Sequence, residues 1–190
     1  RASLTDALVG GAGPIDPVAP WDDALMTFGE TRLEYAVEEI ADGASIRMWL
    51  APRGGAAVDF EKRVSVHGAV VDARYRLRAA PEAPVAGRWV DQWNLALTAG
   101  DAPGRYLVLP GRPSLGSSGR VRAASRLALV DEWVGVEARL DFHPDAEVAW
   151  GPVETVSLSE SGFERIYQGT ALALVWPLEL EPGAEREMSA

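Results

Sequence analysis

The sequence predicts an all-β fold of the sandwich or barrel type. Runs rich in Val, Leu, Ile and aromatic residues recur at short spacing with turn residues between them, unlike the alternation of strands and helices in α/β proteins. A length of 190 residues and a hydrophobic content of 47% are enough for one substantial core. We therefore expect residues 1–190 to form a single β-sandwich domain.

Eleven runs are predicted to be strands because each is bounded by turn residues. In chain order they are residues 33–40, 45–50, 58–66, 70–78, 87–98, 105–109, 120–130, 134–142, 153–159, 163–168 and 170–180. The first run also fits one face of a helix, but Asp42-Gly43 after it is typical of a hairpin turn and favours a strand. Residues 21–28 could hold a turn of helix, and residues 10–20 and 110–119 are predicted loops.

The composition excludes several classes of site and partner. The chain has no cysteine, so neither a disulfide nor a thiolate metal site is possible, and no cofactor is expected. A net charge of -10 argues against nucleic acid and against an anionic membrane, because both attract basic surfaces. No apolar run approaches the ~20 residues of a membrane span. A cytoplasmic location is favoured, and a neutral ligand such as a sugar is compatible with this charge.

Residues 151–176 alternate like a β-hairpin. If Ser161-Gly162 forms a two-residue loop, one face of the hairpin is mostly core, with Val156 opposite Tyr167, Leu158 opposite Arg165, and Glu160 opposite Phe163. The other face is polar and places Thr155 opposite Gln168, Ser157 opposite Ile166, and Ser159 opposite Glu164. Several donors and acceptors on a rigid backbone suit a polyhydroxylated ligand, although Ser and Thr on a solvated face explain the same pattern.

The tryptophans are the second candidate for sugar contact, because an indole can stack on the apolar face of a pyranose ring. Trp89 and Trp93 flank Asp91 on one face of a predicted strand. A carboxylate between two indoles indicates a face that is not wholly buried, so a sugar or domain contact and plain packing are both open. The remaining expectations place Trp49, Trp133 and Trp176 in the core and Trp150 at a loop rim.

No complete active site is predicted. A mutarotase-like reaction needs a general acid and a general base that converge on a sugar ring. Both histidines, His67 and His143, precede turn residues and are expected in exposed loops. Glu160 and Glu164 point to opposite faces of the predicted hairpin, which makes them a poor pair for glycoside hydrolysis.

Several segments carry a resemblance to a known family. The most specific are PVETVS at 152–157, GFER at 162–165, YQG at 167–169 and Trp176, and earlier matches are RASLTD at 1–6, FEK at 60–62, ARYRL at 73–77, WNL at 93–95 and LVDEW at 129–133. They resemble the C-terminal β-sandwich domain of glycoside hydrolase family 57 α-amylases and 4-α-glucanotransferases. The resemblance implies an antiparallel two-sheet supersandwich, galactose mutarotase-like. The sequence departs from the family pattern at Ala7-Leu8, where a histidine and an aromatic residue are expected.

The resemblance implies a non-catalytic accessory domain cut from a longer enzyme, since the family carries its catalytic carboxylates on an N-terminal barrel. The expected partners are that barrel and, weakly, α-1,4-glucan or maltooligosaccharide. If the domain packs against this barrel, its surface should carry an uncovered apolar or mixed patch. The candidate sugar contacts are Trp89, Trp93, Thr155, Ser157, Ser159, Glu164 and Gln168. Two alternatives stay open: a stand-alone carbohydrate-binding or mutarotase-like protein, and a purely structural module.

Overall fold

The computed structural model describes residues 4–19, 21, 24–28, 31–50, 57–159 and 162–190, with the backbone alone for Ser159. Twelve strands lie in these ranges. They are β1 Thr5–Val9, β2 Ala24–Thr27, β3 Glu34–Ile40, β4 Gly43–Trp49, β5 Val58–His67, β6 Val70–Ala79, β7 Val85–Leu95, β8 Arg105–Leu107, β9 Gly119–Asp131, β10 Val136–Ser159, β11 Gly162–Leu180 and β12 Glu185–Ser189.

The strands form two antiparallel sheets. Sheet A has the order β2-β1-β7-β11-β10-β9-β8, and sheet B has the order β12-β6-β5-β4-β3. The two sheets are connected through a single pair, His143 of β10 with Ser189 of β12. The predicted all-β antiparallel sandwich is therefore confirmed.

The main core lies between the two sheets. Trp89 on β7 is at its centre, with ring centroids 5.3 Å from Phe28, 5.4 Å from Phe60 and 5.5 Å from Tyr75. Phe60 and Tyr75 come from sheet B, and the alternation of β5 and β6 turns their apolar side chains inward. Contacts between the aromatic rings therefore join the two sheets.

Sheet A is also covered on its outer face. Ile15 and Trp21 pack there against small apolar side chains, and these are Ala7, Val9, Val90, Ala149, Ala173 and Val175. Gln92 Nε2 fixes the covering segment by donating to the Pro17 carbonyl at 2.6 Å. Because β11 lies between two packed layers, its C-terminal half is a nearly continuous apolar run rather than an alternating one.

Three strands were not predicted, β1, β2 and β12, and coverage on both faces accounts for β1. β1 reads Thr-Asp-Ala-Leu-Val without polar alternation, and β12 is short and charged. The turn of helix considered for residues 21–28 is wrong for the described part, since β2 is a strand that pairs with β1. β10 and β11 each join two predicted strands into one. β10 continues through irregular pairing with β9 between Asp141 and Val148, and β11 continues across the bulge opposite Val153/Glu154.

The predicted register of the β10–β11 hairpin is wrong by two residues. Leu158 is opposite Phe163 and Val156 is opposite Arg165, while Glu160 and Ser161 lie outside the described ranges. A shift of two leaves every side chain on its predicted face. The expectation that the apolar face is core is nevertheless wrong, because Leu158 is 78% exposed and Phe163 is 82% exposed.

The cause is the length of the hairpin. β9 pairs with β10 only as far as Trp150, and β7 pairs with β11 only from Thr170 onward. Past these points the hairpin is a two-stranded ribbon, and none of the other described strands pairs with it. Tyr167, close to the base of the ribbon, is half-buried and packs against the core.

Replacing Phe163 by alanine is therefore expected to change the free energy of unfolding by less than about 0.5 kcal/mol, because an exposed ring loses little packing when it is removed. Urea unfolding followed by circular dichroism would measure it. A loss of several kcal/mol would show that the ring is buried and that this register is wrong as well.

Candidate functional site

The structure places the two predicted stacking tryptophans inside the sandwich. Trp89 and Trp93 share a face of β7 with Asp91, as predicted. That face is closed: Trp89 and Asp91 expose none of their surface and Trp93 exposes 9%. The expectation of a partly open face is wrong, since sheet B covers it, and neither indole offers a free ring face to a sugar.

The predicted polar face lies on one side of the exposed ribbon. Thr155, Ser157, Glu164 and Gln168 are all exposed, and Gln168 Nε2 donates to Thr155 Oγ1 at 3.2 Å. The side chain of Ser159 is outside the description. The fold thus brings these polar residues together but separates them from Trp89 and Trp93. A role for them in sugar binding stays a prediction.

A buried cluster of ionisable groups lies beside Trp93. Asp6 on β1 is directly opposite Asp91 on β7, and Lys62 of β5 reaches them from sheet B. Lys62 Nζ lies 2.7 Å from Asp6 Oδ2 and donates to the Leu4 carbonyl at 2.5 Å. The indole of Trp93 donates to Asp91 Oδ2 at 2.7 Å.

Burial raises the pKa values of both carboxyls in this cluster. Burial first, and then the charge of Asp91, raise the pKa of Asp6 to about 8 against the opposing effect of Lys62. Burial also raises the pKa of Asp91. Each Asp has one oxygen without a hydrogen-bond partner among the described residues. One proton shared by Asp6 and Asp91 lowers the repulsion between the two carboxyls. One negative charge then remains to pair with the ammonium of Lys62. The cluster is a structural link between the sheets, with no opening toward a substrate.

The sequence carries a signal for this cluster in the position of Lys62. Lys62 is the only lysine of the chain, and it has the same strand parity as Val58, Phe60 and Val64, which read as core positions. A charge at a core position needs a buried partner. Asp91 between two core tryptophans was the matching signal, while the pairing with Asp6 required the sheet.

The outer face of sheet B holds a groove with a volume of about 640 Å³. Across its floor Arg47, Arg63 and Arg74 lie directly opposite one another on β4, β5 and β6. Glu38 pairs with Arg63 at 3.5 Å, while Arg74 has no ion pair among the described residues. The row of guanidinium groups can donate to anionic or hydroxyl-bearing groups.

The histidines differ in position. His143 lies in β10 and lines this groove, so its expected loop position is wrong. His67 ends β5, half-exposed, at 3.5 Å from Asp72. Within the described ranges His, Asp and Glu side chains form no group of three that could hold a metal ion. Nor does any helix of those ranges have the length and apolar character to cross a membrane.

Four further tryptophans had predicted positions, and one prediction is confirmed. Trp176 is core, as expected. Trp150 is buried, with its indole donating to Ser117 Oγ at 3.2 Å, rather than lying at an open rim. Trp49 is half-buried on the outer face of sheet B, where Arg47 lies 4.8 Å from its ring centroid. Trp133 is 76% exposed, in the turn between β9 and β10, so its core prediction is wrong.

Comparison with known proteins agrees with this fold. Residues 23–189 match the family described as Alpha-amylase/4-alpha-glucanotransferase, C-terminal. Alpha-amylase 1 of Dictyoglomus thermophilum is 30% identical over 119 residues, which are 60% of this chain and 16% of that protein. The crystal structure of 4-alpha-glucanotransferase from Thermococcus litoralis is similar with a TM-score of 0.65 at 19% identity, over 100% of this chain and 27% of that one.

The chain thus spans less than a third of either relative, 16% of the amylase and 27% of the glucanotransferase. The family match covers most of the sequence, and the similar crystal structure shows the same all-β fold. The resemblance noted in the sequence is confirmed at this level. The chain belongs to the family of C-terminal domains of α-amylases and 4-α-glucanotransferases.

Proposed function

We propose that this chain is the non-catalytic accessory domain of an α-glucan-processing glycoside hydrolase of the family 57 type, and that it packs against the catalytic barrel of that enzyme. Weak contact with α-1,4-glucan or maltooligosaccharide belongs to the same proposal, as does a cytoplasmic location. A single domain over residues 1–190 is also part of the proposal. The observation that carries the proposal is an uncovered apolar surface on sheet B.

This surface continues the core-facing side of sheet B. Strand pairing places Tyr35 opposite Met48 and Val37 opposite Ile46, and both rows continue onto β5 positions that share a face with Phe60. At β5 and β6 that face is covered by sheet A and forms the core. Toward β3 the cover ends, because Tyr35 is 68% exposed and Val37 is 63% exposed.

We call the exposed part of this face the β3 patch; it consists of Tyr35, Val37, Val66 and Val71 together with the half-buried Ile46, Met48 and Val64. Contiguous apolar surface of this kind marks an interaction site in a soluble protein. Among the described strands, β3 is also an edge strand of sheet B. The catalytic barrel is the occupant that fits, because related proteins are several times longer than this chain.

The test is to express the catalytic region of the full-length protein separately, add the chain, and measure association by isothermal titration calorimetry. Val37→Asp should weaken association by about tenfold or more, because it buries an unpaired charge in the interface. Val156→Asp is the matched control, since Val156 is an equally exposed valine on the hairpin ribbon. Equal binding by both variants and the parent chain would contradict the proposal.

A further inference from the structure

The turn between β9 and β10 presents a tryptophan to solvent. Trp133 follows Asp131 and Glu132 in this turn, and 76% of its surface is exposed, whereas the other described tryptophans are buried or half-buried. Single exposed aliphatic residues are common on protein surfaces, but a tryptophan side chain is rarely exposed to this extent. A large exposed ring needs an explanation from its surroundings.

The buried side chain of Asp131 holds this turn rigidly. Asp131 exposes none of its surface, and its Oδ1 accepts the backbone N–H groups of Trp133 at 3.0 Å and Val134 at 3.3 Å. Its Oδ2 accepts Thr98 Oγ1 at 2.6 Å and Arg105 Nε at 2.9 Å. These hydrogen bonds, with that from Thr98 the largest effect, lower the pKa of Asp131 to about 2, so the anchor stays ionised. A rigid turn loses little conformational entropy when its exposed ring binds something.

One guanidinium lies beside the ring, and further polar groups lie on the neighbouring residues of the turn and of β8. The Arg105 guanidinium lies 5.9 Å from the Trp133 ring centroid, within the range of a cation–π contact. Tyr106 Oη donates to Glu132 Oε1 at 3.1 Å, and the Arg112 guanidinium lies 4.6 Å from the Tyr106 ring centroid. One end of sheet A therefore carries two groups of contacts next to each other in the chain, Arg105 with the exposed indole, and Tyr106 with Glu132 and Arg112.

The position of Arg112 requires an unusual backbone. Arg112 N–H donates to the Leu109 carbonyl at 3.0 Å, with Gly111 at a φ of 83°, which is the arrangement of a type II turn after Pro110. Arg112 itself has a φ of 45°, a conformation that is uncommon for a residue with a side chain. Backbone strain of this kind is concentrated at functional sites.

We propose that Trp133 and its neighbours Arg105, Tyr106, Arg112 and Glu132 form a surface site for a glucose unit of an α-glucan. The C–H face of a pyranose stacks on the exposed indole, and the hydroxyls at its rim exchange hydrogen bonds with Glu132 and the guanidinium groups. The choice of α-glucan rests on the proposed function. The combination of a rigid ring with charged hydrogen-bonding groups fits a sugar better than the mainly aliphatic β3 patch does.

The test is calorimetric titration of the intact chain with maltoheptaose up to about 10 mM, a range suited to millimolar affinity. Trp133→Ala should weaken binding by about tenfold or more, since truncated tryptophans are the costliest losses in binding sites. Trp133→Phe should retain part of the affinity. Phe163→Ala is the matched control, because it removes an exposed ring that lies on the ribbon, outside this cluster, and should bind as the parent does.

Other outcomes overturn the site. If the parent chain binds no maltoheptaose, or if Trp133→Ala binds as tightly as the parent, Trp133 does not bind glucan. If Trp133→Ala instead weakens association with the catalytic region, the exposed ring is part of the domain interface. A parent chain that binds no maltoheptaose also removes the glucan contact from the proposed function, but it leaves the packing of the β3 patch against the barrel, which Val37→Asp tests separately. The site and the accessory function can therefore fail independently.

Discussion

Replacing Lys62 by methionine is expected to lower the free energy of unfolding by about 3–5 kcal/mol near pH 8, because the change leaves buried carboxylate charge without its counter-ion. The ammonium is almost completely buried against Asp6, and Asp91 lies on the neighbouring strand. The loss should be smaller near pH 5, where protonated carboxyls have less need of a cation. Urea unfolding at both pH values would measure the difference.

The matched control for this prediction is Arg63→Met. Arg63 is the next residue of β5, and it pairs on the surface with Glu38 at 3.5 Å. Exposed ion pairs contribute about 0–1 kcal/mol, so this variant should unfold close to the parent. A Lys62→Met variant no less stable than Arg63→Met would mean that the cluster is hydrated or rearranged.

The parent protein should itself lose stability as pH rises. Asp6 has a folded pKa of about 8 against an ordinary value of 3.8, so between these values the folded state holds a proton that the unfolded state releases. The stability that this proton provides is complete below about pH 4 and is lost as pH rises toward about pH 8, with a slope of up to about 1.4 kcal/mol per pH unit. Asp6→Asn should flatten this slope, since it mimics the protonated acid at every pH. An equally steep slope in Asp6→Asn would assign the proton to another group.

Trp89→Ala is expected to destabilise the fold by about 3–5 kcal/mol, because the cavity would lie where both sheets meet. The ring contacts Phe28, Phe60 and Tyr75 and exposes none of its surface. Denaturant unfolding of Trp89→Ala and Phe163→Ala side by side gives the comparison. Equal effects of the two substitutions would contradict the assigned core.

The sequence was sufficient for the fold class and for most strand positions. Alternation along β5 and β6 and the hairpin signal at Asp42-Gly43 are local properties. The structure has strands where they were expected, and the hairpin turn lies one residue earlier, at Ala41-Asp42, because Gly43 already pairs with Ile40. The parity of side chains in the β10–β11 hairpin was also correct despite the shifted pairing. A period of two survives a shift of two residues, so the assignment to faces did not depend on the register.

Sequence patterns were insufficient wherever the answer depended on what lies across from a face. The apolar face of the hairpin and the core-facing side of sheet B have the same pattern, yet the first extends past its neighbouring strands and is bare. Likewise, Trp89 and Trp133 both lie in mixed sequence, but Trp89 has a second sheet above it and Trp133 is at the tip of a turn.

What the sequence by itself determined is most of the strands, their two faces and the family to which the chain belongs. What only the tertiary structure decided is which faces are covered, and which charges meet. Asp6, Lys62 and Asp91 are far apart along the chain and touch because β1, β5 and β7 are brought together by the two sheets. The physical reason is that local sequence sets backbone conformation and side-chain direction, whereas burial, and with it the pKa of a carboxyl or the exposure of an indole, depends on elements distant in sequence.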